Sequence, residues 1–178
     1  MSDLYQVVES LKQGGLIAYP TEGVWGMGCD PANKKAVDNL LSLKGRSVKK
    51  GLILIGSEME HFKPYAELEQ FESLLFTKWP GPHTWVVPAS SAPEWLTGGK
   101  QSIALRMSDH EPVKNLCRNF KSALVSTSAN SSGALPAKTE EEIQEMYPGV
   151  TVYSESLGDF KGPTPIQDIL SEEMIRGS

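Results

Sequence analysis

Apolar residues recur at the three- and four-residue spacing of an amphipathic helix in five stretches of the chain. The first stretch ends before Gly14, and the second has Asp30 as its predicted N-cap and Pro31 as its first helical residue. In the last stretch, Thr139 and Glu142 predict a capping box. The predicted helices cover residues 4–11, 31–43, 68–75, 111–120 and 140–147.

Short apolar runs between these stretches predict buried strands. They cover residues 16–19, 52–55, 83–87, 102–107, 123–126 and 150–153, with a last strand pair within 166–175. Residues 20–28 are predicted as a loop, because Pro20 ends the first run. Strands and helices alternate without a repeat or a low-complexity tract. The sequence therefore predicts one α/β domain over residues 1–178, with helices packed on a mixed sheet.

Four polar segments lie at the ends of these predicted elements. They are residues 21–28, 44–50, 106–110 and 126–133. Ligands of α/β proteins commonly bind where such loops meet at the edge of the sheet. We therefore expect the four segments to converge on one site.

The segment 44–50 concentrates positive charge. Four cations lie within seven residues, namely Lys44, Arg46, Lys49 and Lys50. A solvated surface turn is one interpretation of such a run. The flanking Gly45 and Gly51 favour an anion site, since glycines let backbone N–H groups approach an anion. An Arg fork beside a Lys point charge suits a polyphosphate or a carboxylate.

The segment 126–133 is rich in Ser, Asn and Gly, which is also the composition of an ordinary turn. Its functional interpretation is a shelf of small donors and acceptors for ribose, phosphate or amino-acid groups. A serine hydrolase is disfavoured because the chain has no Gly-x-Ser-x-Gly elbow. The three histidines, at positions 61, 83 and 110, lie in unrelated contexts and are expected to be structural or exposed.

Charge and length exclude several classes of protein. Seventeen Lys and Arg against 22 Asp and Glu give a formal net charge of −5, which argues against a protein that coats nucleic acid. No apolar run approaches the roughly 20 residues of a membrane helix, and the first residues lack secretory-signal features. We therefore expect a cytoplasmic protein without a membrane segment. Cys29 and Cys117 are expected to be reduced, buried thiols rather than metal ligands.

Six motifs, taken in order, resemble the YrdC-like family and span nearly the whole chain. They are residues 19–30 (YPTEGVWGMGCD), 43–46 (LKGR), 50–55 (KGLILI), 79–84 (WPGPHT), 105–106 (LR) and 126–133 (STSANSSG). The resemblance implies a single-domain, twisted mixed β-sheet with flanking helices and a positively charged concave groove.

The resemblance also implies an activity. Family members combine L-threonine, bicarbonate and ATP, with Mg²⁺ on the ATP, into threonylcarbamoyl-AMP and pyrophosphate. The product serves the threonylcarbamoyl modification of adenosine 37 in tRNAs that read codons beginning with A. Downstream transferase proteins carry the group to tRNA, and a monomer is expected.

Site residues follow from the resemblance by position. Lys44 and Arg46 match the family's Lys-x-Arg, which holds nucleotide phosphates and supplies positive charge to the reaction. The residues matched to ATP are Lys44, Arg46, Ser126, Asn130 and Arg176. The residues matched to threonine are Thr21, Arg106, Ser128 and Thr164, with Arg106 suited to the carboxylate. No protein metal site and no covalent catalyst are implied.

The chain departs from the family pattern at several positions. Ile55 stands where longer, two-domain members have a His, so threonine recognition is expected to differ in detail. Glu22 is followed by Gly23, which removes a hydroxyl beside the expected substrate site, and Pro165 replaces a donor-bearing residue. Two alternatives stay open: an RNA-binding module with weak, salt-sensitive affinity, and a divergent YrdC-like paralogue without this activity.

Overall fold

The computed structural model describes residues 2–130, 135–162 and 164–177, and within them a nine-stranded mixed sheet forms the centre of the fold. Its strands are β1 Ile17–Pro20, β2 Trp25–Gly28, β3 Ile53–Gly56, β4 Thr84–Pro88, β5 Ser102–Met107, β6 Leu124–Ser128, β7 Thr151–Val152, β8 Ile166–Asp168 and β9 Met174–Arg176. They are arranged in the order β7-β1-β2-β6-β3-β5-β4-β8-β9. The pairs β1–β7, β3–β5 and β4–β8 are parallel, and the other pairs are antiparallel.

Six α-helices flank the sheet in the described part of the chain. They are α1 Leu4–Lys12, α2 Lys34–Lys44, α3 Glu72–Leu75, α4 Glu94–Thr97, α5 Glu111–Phe120 and α6 Glu140–Met146. The start of α1 is fixed by a capping box, in which the Asp3 carboxylate accepts from the Gln6 amide and the Gln6 side chain accepts from the Asp3 amide. The predicted α/β class with flanking helices on a mixed sheet is confirmed.

The two faces of the sheet are covered to different extents. One face carries the larger core, in which Leu54 of β3, Leu105 of β5 and Val125 of β6 are fully buried. On the other face, α1 and α5 pack over a smaller core that includes Tyr19 and Ile55. Because side chains alternate between faces along a strand, Ile53 of β3 lies on the same face as Ile55 but outside this smaller core.

Several predicted elements are confirmed closely. The strand 102–107 and the helix 111–120 have the predicted bounds, and the final strand pair forms as β8 and β9. Thr139 caps α6 by accepting from the Glu142 amide at 3.2 Å. The predicted capping box is incomplete, however, because the Glu142 carboxylate accepts from the amide of Lys138 instead.

Three predicted elements were wrong in extent. The second helix does not begin at Asp30-Pro31, because the Asp30 carboxylate closes a tight turn at Ala32 and Asn33 is the N-cap, accepting from Ala36 N at 3.1 Å. The predicted loop 20–28 contains strand β2 over residues 25–28. The predicted helix 68–75 is a 3-10 turn, Glu69–Phe71, followed by the short helix α3.

A segment of backbone lies directly against the turn that follows β1. The amide of Gly158 donates to Thr21 O at 3.0 Å, and the amide of Phe160 donates to Glu22 O at 2.8 Å. A Cβ on Gly23 would lie 2.4 Å from Phe160 O. Because Gly23 has no side chain, this segment can pack directly against the turn.

Gly23→Ala should destabilise the fold by about 1–3 kcal/mol, because the added methyl group forces two hydrogen-bonded backbone segments apart. Urea unfolding followed by circular dichroism would measure this change. Gly177→Ala is the matched control, since a Cβ at Gly177 meets nothing within 4 Å. Equal stability of the two variants would contradict the steric explanation of Gly23.

Candidate active site

A cleft of about 600 Å³ opens on the second face of the sheet, beside the part that α1 and α5 cover. Its wall includes residues from each of the four polar segments expected to converge. From the third of them, 106–110, only Arg106 reaches the wall. The predicted site residues on the wall are Thr21, Arg46, Arg106, Ser126, Ser128, Thr164 and Arg176. Most of them project from strands or from the residues directly after a strand or helix.

Positive charge predominates on the cleft wall. Among the described residues that line it, five side chains are cationic and one is a carboxylate, Asp168 of β8. The cations are Arg46, Lys50, Lys100, Arg106 and Arg176. These charges would attract an anionic ligand to the cleft, although the net charge of the whole chain is negative.

Arg106 is the most enclosed of these cations and is held from two sides. Its side chain is 7% exposed. One terminal nitrogen, Nη1, donates to Thr164 Oγ1 at 2.8 Å, and Nη2 faces Glu22 Oε2 at 3.5 Å. Its Nε is buried and has no hydrogen-bond partner among the residues that the structure describes. The guanidinium is thus fixed in direction while keeping a donor without a partner.

Thr164 also brings a second arginine to the same end of the cleft. Its carbonyl oxygen accepts from Arg176 Nε at 3.1 Å and from Arg176 Nη2 at 2.7 Å. Arg176 lies on β9, an exposed strand at the edge of the sheet. One residue therefore positions cations from β5 and β9 side by side, an arrangement suited to a ligand with more than one anionic group.

Arg46 follows the end of α2, where Gly45 adopts a left-handed φ of 58°. Its Nη2 donates to Gly51 O at 2.9 Å, and its buried Nε has no hydrogen-bond partner within residues 2–130, 135–162 and 164–177. Burial lowers the pKa of this guanidinium from its ordinary value. Arg46 is thus anchored at one nitrogen and, like Arg106, keeps a buried Nε without a partner in the described part of the chain.

Lys44 is buried and is not among the described residues of the cleft wall. Its ammonium group donates to Ser128 O and to Asn130 O. Burial, with a smaller contribution from the neighbouring Arg46, lowers the pKa of Lys44 to about 8. In this structure, Lys44 therefore fixes the segment that follows β6.

The hydroxyl groups of the site are engaged with their own surroundings. Thr21 Oγ1 donates to Val24 O at 2.8 Å, and Ser128 Oγ donates to Asn130 Oδ1 at 2.6 Å. Asn130, like Lys44, is not among the described wall residues. The end of the predicted shelf, 131–133, lies outside the described residues.

Comparison with known proteins gives the chain its family. A family model named Sua5_yciO_yrdC, with the description "Telomere recombination", matches residues 9–165. The chain belongs to the Sua5/YciO/YrdC family. It is 44% identical over 185 residues to a threonylcarbamoyl-AMP synthase of Vibrio vulnificus, covering 99% of this chain and 98% of that protein. It is 45% identical over 176 residues to a threonylcarbamoyl-AMP synthase of Photorhabdus laumondii, covering 96% and 93%.

Solved structures of the Sua5/YciO/YrdC family have the same fold. P. abyssi Sua5 complexed with L-threonine superposes with a TM-score of 0.87 at 27% identity, covering 99% of this chain. This chain spans 55% of the length of that protein. E. coli YciO, at 20% identity and a TM-score of 0.78, covers 98% of this chain and 90% of its own length, and shows the fold alone.

Ile55 lies in the core under α1 and α5 and is fully buried. It pairs across the sheet with Arg106, so it occupies the neighbouring position on the adjacent strand. Ile53, two residues earlier, lines the cleft. In this Sua5/YciO/YrdC protein, position 55 therefore belongs to the hydrophobic support beside the site rather than to the wall.

Sequence reasoning missed two residues of this site. Lys100 lines the cleft from the turn before β5, but an isolated lysine after two glycines carries no sequence signal. Glu22 lies within the motif 19–30, which predicts no role for its side chain. In the structure, its buried carboxylate faces Arg106. The histidines at 61, 83 and 110, all within the described residues, do not line the cleft, and both cysteines are free and buried as predicted.

If the charge of Lys44 supports ATP binding, the KM for ATP should be constant below pH 8 and should rise up to about tenfold per pH unit above it. The reason is that a lysine with a pKa of about 8 is charged below that pH and neutral above it. Initial rates at saturating threonine between pH 7 and pH 9.5 would measure the profile. Lys44→Arg, which stays charged, should flatten it; a wild-type profile without any rise would contradict the prediction.

Proposed function

We propose that this protein is an L-threonylcarbamoyladenylate synthase. It joins L-threonine, bicarbonate and ATP into threonylcarbamoyl-AMP and releases pyrophosphate. The observation that carries the proposal is one cleft with three arginines, Arg46, Arg106 and Arg176, each tied to a protein oxygen. The near full-length identity of 44% to proteins named threonylcarbamoyl-AMP synthase supports the same reaction.

In the proposed threonine subsite, Arg106 binds the substrate carboxylate. A guanidinium is suited to this task because its planar donors match the two carboxylate oxygens. Thr21, Ser128 and Thr164 supply the surrounding hydroxyl groups, and Thr164 also holds Arg106 in place. The complex of P. abyssi Sua5 with L-threonine supports an amino-acid site in this fold.

In the proposed ATP subsite, Arg46 and Lys44 act on the phosphates at the end of α2. Ser126 and Asn130 lie beside the nucleotide, and Arg176 reaches it from β9. Lys44 holds the segment of Ser128 and Asn130 in this structure, so its ammonium group is adjacent to the cleft wall rather than on it. Lys50 and Lys100 add further charge to the wall.

The reaction requires two bond-forming steps. The threonine amine attacks the carbon of bicarbonate, and loss of water leaves a carbamate. A carbamate oxygen then attacks the α-phosphorus of ATP while the bond to the β-phosphate oxygen breaks and pyrophosphate leaves. Negative charge builds up on both sides of the α-phosphorus, so positioned cations lower the barrier and no protein nucleophile is required.

Mg²⁺ enters this proposal as part of the ATP substrate. Within residues 2–130, 135–162 and 164–177, no group of three or more His, Cys, Asp or Glu side chains could hold a metal ion. Asp168 is the one carboxylate among the described wall residues. The residues present therefore do not fit a resident metal site, and the steps above assign no protein ligand to Mg²⁺.

The proposal extends to the setting of the reaction. We propose that residues 1–178 act as one monomeric domain in the cytoplasm. Downstream transferase proteins would receive the product for adenosine 37 of tRNA, and RNA binding by this chain would be weak. No helix in the described parts of the chain is long and apolar enough to cross a membrane.

Pyrophosphate release by the purified protein tests the proposed function. With Mg²⁺ and ATP present, release should require both L-threonine and bicarbonate and should be much slower with L-serine or without an amino acid. The measurement is a coupled pyrophosphate assay. A folded protein that releases no pyrophosphate under these conditions would contradict the proposal and favour a divergent paralogue or an RNA-binding module.

Arg46→Ala should lower kcat/KM for ATP by roughly 100-fold, because a fixed cation beside the phosphates is lost. Arg46→Lys should recover only part of this loss, since an ammonium group lacks the guanidinium fork. Arg118→Ala is the matched control. Arg118 is half-exposed and pairs with Glu58 on the surface, so its loss should leave the rate unchanged. Equal rates for Arg46→Ala and wild type would refute the phosphate role.

A further inference from the structure

Glu22 is a buried carboxylate beside the cleft, and the reaction steps proposed above do not use it. Its side chain is 9% exposed, and it is not among the described residues that line the cleft. One oxygen, Oε1, accepts from Ser108 Oγ at 2.6 Å, and the other, Oε2, lies 3.5 Å from Arg106 Nη2. A buried carboxylate in such a place needs a reason, because removing it from water is costly.

The direction of each hydrogen bond around Glu22 is fixed. The amide of His110 donates to Ser108 Oγ at 3.1 Å, which leaves the hydroxyl hydrogen of Ser108 to point at Glu22. The backbone of Glu22 is held as well, since its carbonyl accepts from Phe160 N at 2.8 Å. The carboxylate therefore has one orientation, with Oε2 presented to Arg106.

Arg106 consequently sits between two fixed groups. Thr164 holds Nη1 at 2.8 Å, and Glu22 faces Nη2. The contact with Glu22 is an ion pair rather than a hydrogen bond, and without it the guanidinium could rotate about its hydrogen bond to Thr164. With both groups present, its Nε and the remaining N–H groups keep a constant direction on the cleft wall.

We propose that Glu22, oriented by Ser108, is the positioning residue that aims Arg106 at the carboxylate of L-threonine. This inference rests on the proposed function and assigns its threonine subsite a supporting group outside the cleft wall. Glu22 touches none of the three substrates and acts only through Arg106.

A purely electrostatic role of Glu22 would change the KM for threonine in the opposite direction from a positioning role. If Glu22 only neutralised Arg106, then Glu22→Gln would strengthen the attraction between Arg106 and an anionic substrate, and the KM for threonine would fall. If Glu22 positions Arg106, the KM for threonine should rise. In Glu22→Gln the amide group must either turn its NH₂ towards Arg106 or leave the Ser108 hydroxyl without an acceptor, so one contact is lost in either orientation.

The experiment compares wild type, Glu22→Gln and Ser108→Ala in the pyrophosphate assay, varying threonine and ATP separately. We expect Glu22→Gln to raise the KM for threonine about tenfold and Ser108→Ala to raise it several-fold, with the KM for ATP within twofold of wild type. Ser108→Ala keeps the charge of Glu22 and removes the hydroxyl that orients it, together with the acceptor of the His110 amide. Glu58→Gln is the control, since it removes a carboxylate from an exposed arginine pair.

Thermal unfolding of each variant shows whether the variant is folded. If Glu22→Gln does not fold, the KM for threonine of Ser108→Ala alone tests the inference. An unchanged or lowered KM for threonine in the folded variants would overturn the inference. So would equal increases in the KM for threonine and for ATP, which indicate general distortion of the cleft. Wild-type protein without threonine-dependent release would contradict the proposed function itself, and with it the inference.

Discussion

One face of the sheet has to serve both as a hydrophobic core and as the wall of a polar cleft. Along β6, the side chains on this face change from Leu124 in the core to Ser126 and Ser128 at the cleft. Along β3 the same face carries Ile55 under the helices and Ile53 at the cleft. The two helices α1 and α5 cover only part of this face. The position of the site follows from where this cover ends.

Backbone carbonyl oxygens hold two arginines of the cleft wall, and a lysine beside it, in place. Arg46 is tied to Gly51 O, Arg176 to Thr164 O, and Lys44 to the carbonyls that follow β6. A carbonyl oxygen orients a cation without cancelling its charge, so Arg46 and Arg176 on the cleft wall stay available to an anion. This arrangement explains how an acidic chain provides a cationic cleft.

Much of the fold was predictable because pattern and packing agree. In the strand 102–107 and the helix 111–120, the apolar residues of the sequence recur at the spacing at which the structure buries side chains. β2 was missed because Gly26 and Gly28 resemble turn residues in sequence. In the structure, both glycines allow neighbouring groups to approach the backbone of β2 closely. A Cβ on Gly28 would lie 2.0 Å from Val125 O, and a Cβ on Gly26 would lie 3.3 Å from the Tyr19 ring. Such a tertiary constraint leaves no local signal.

Of the candidate site, only the residues that the family resemblance assigns by position were predictable from the sequence. The resemblance assigns Arg106 and Thr164 by position, and the structure places Arg106 Nη1 2.8 Å from Thr164 Oγ1. It assigns nothing to Lys100 and gives Glu22, which lies within the motif 19–30, no role of its own. The roles of Lys100 and Glu22 depend on contacts between segments far apart in sequence. Glu22 and Ser108, for example, are 86 residues apart and share a hydrogen bond. Spacing along the chain carries no information about such a pair.

The central claim is that the cleft joins a carbon from bicarbonate to threonine before adenylation. The most direct measurement is mass spectrometry of the adenylate formed from ATP, L-threonine and ¹³C-bicarbonate. We expect threonylcarbamoyl-AMP that is one mass unit heavier than the unlabelled product. Added pyrophosphate should attack its α-phosphorus, re-form ATP and release the threonine carbamate. An unlabelled threonyl-AMP would contradict the claim, because the threonine carboxylate, and not a carbamate, would then have attacked the α-phosphorus.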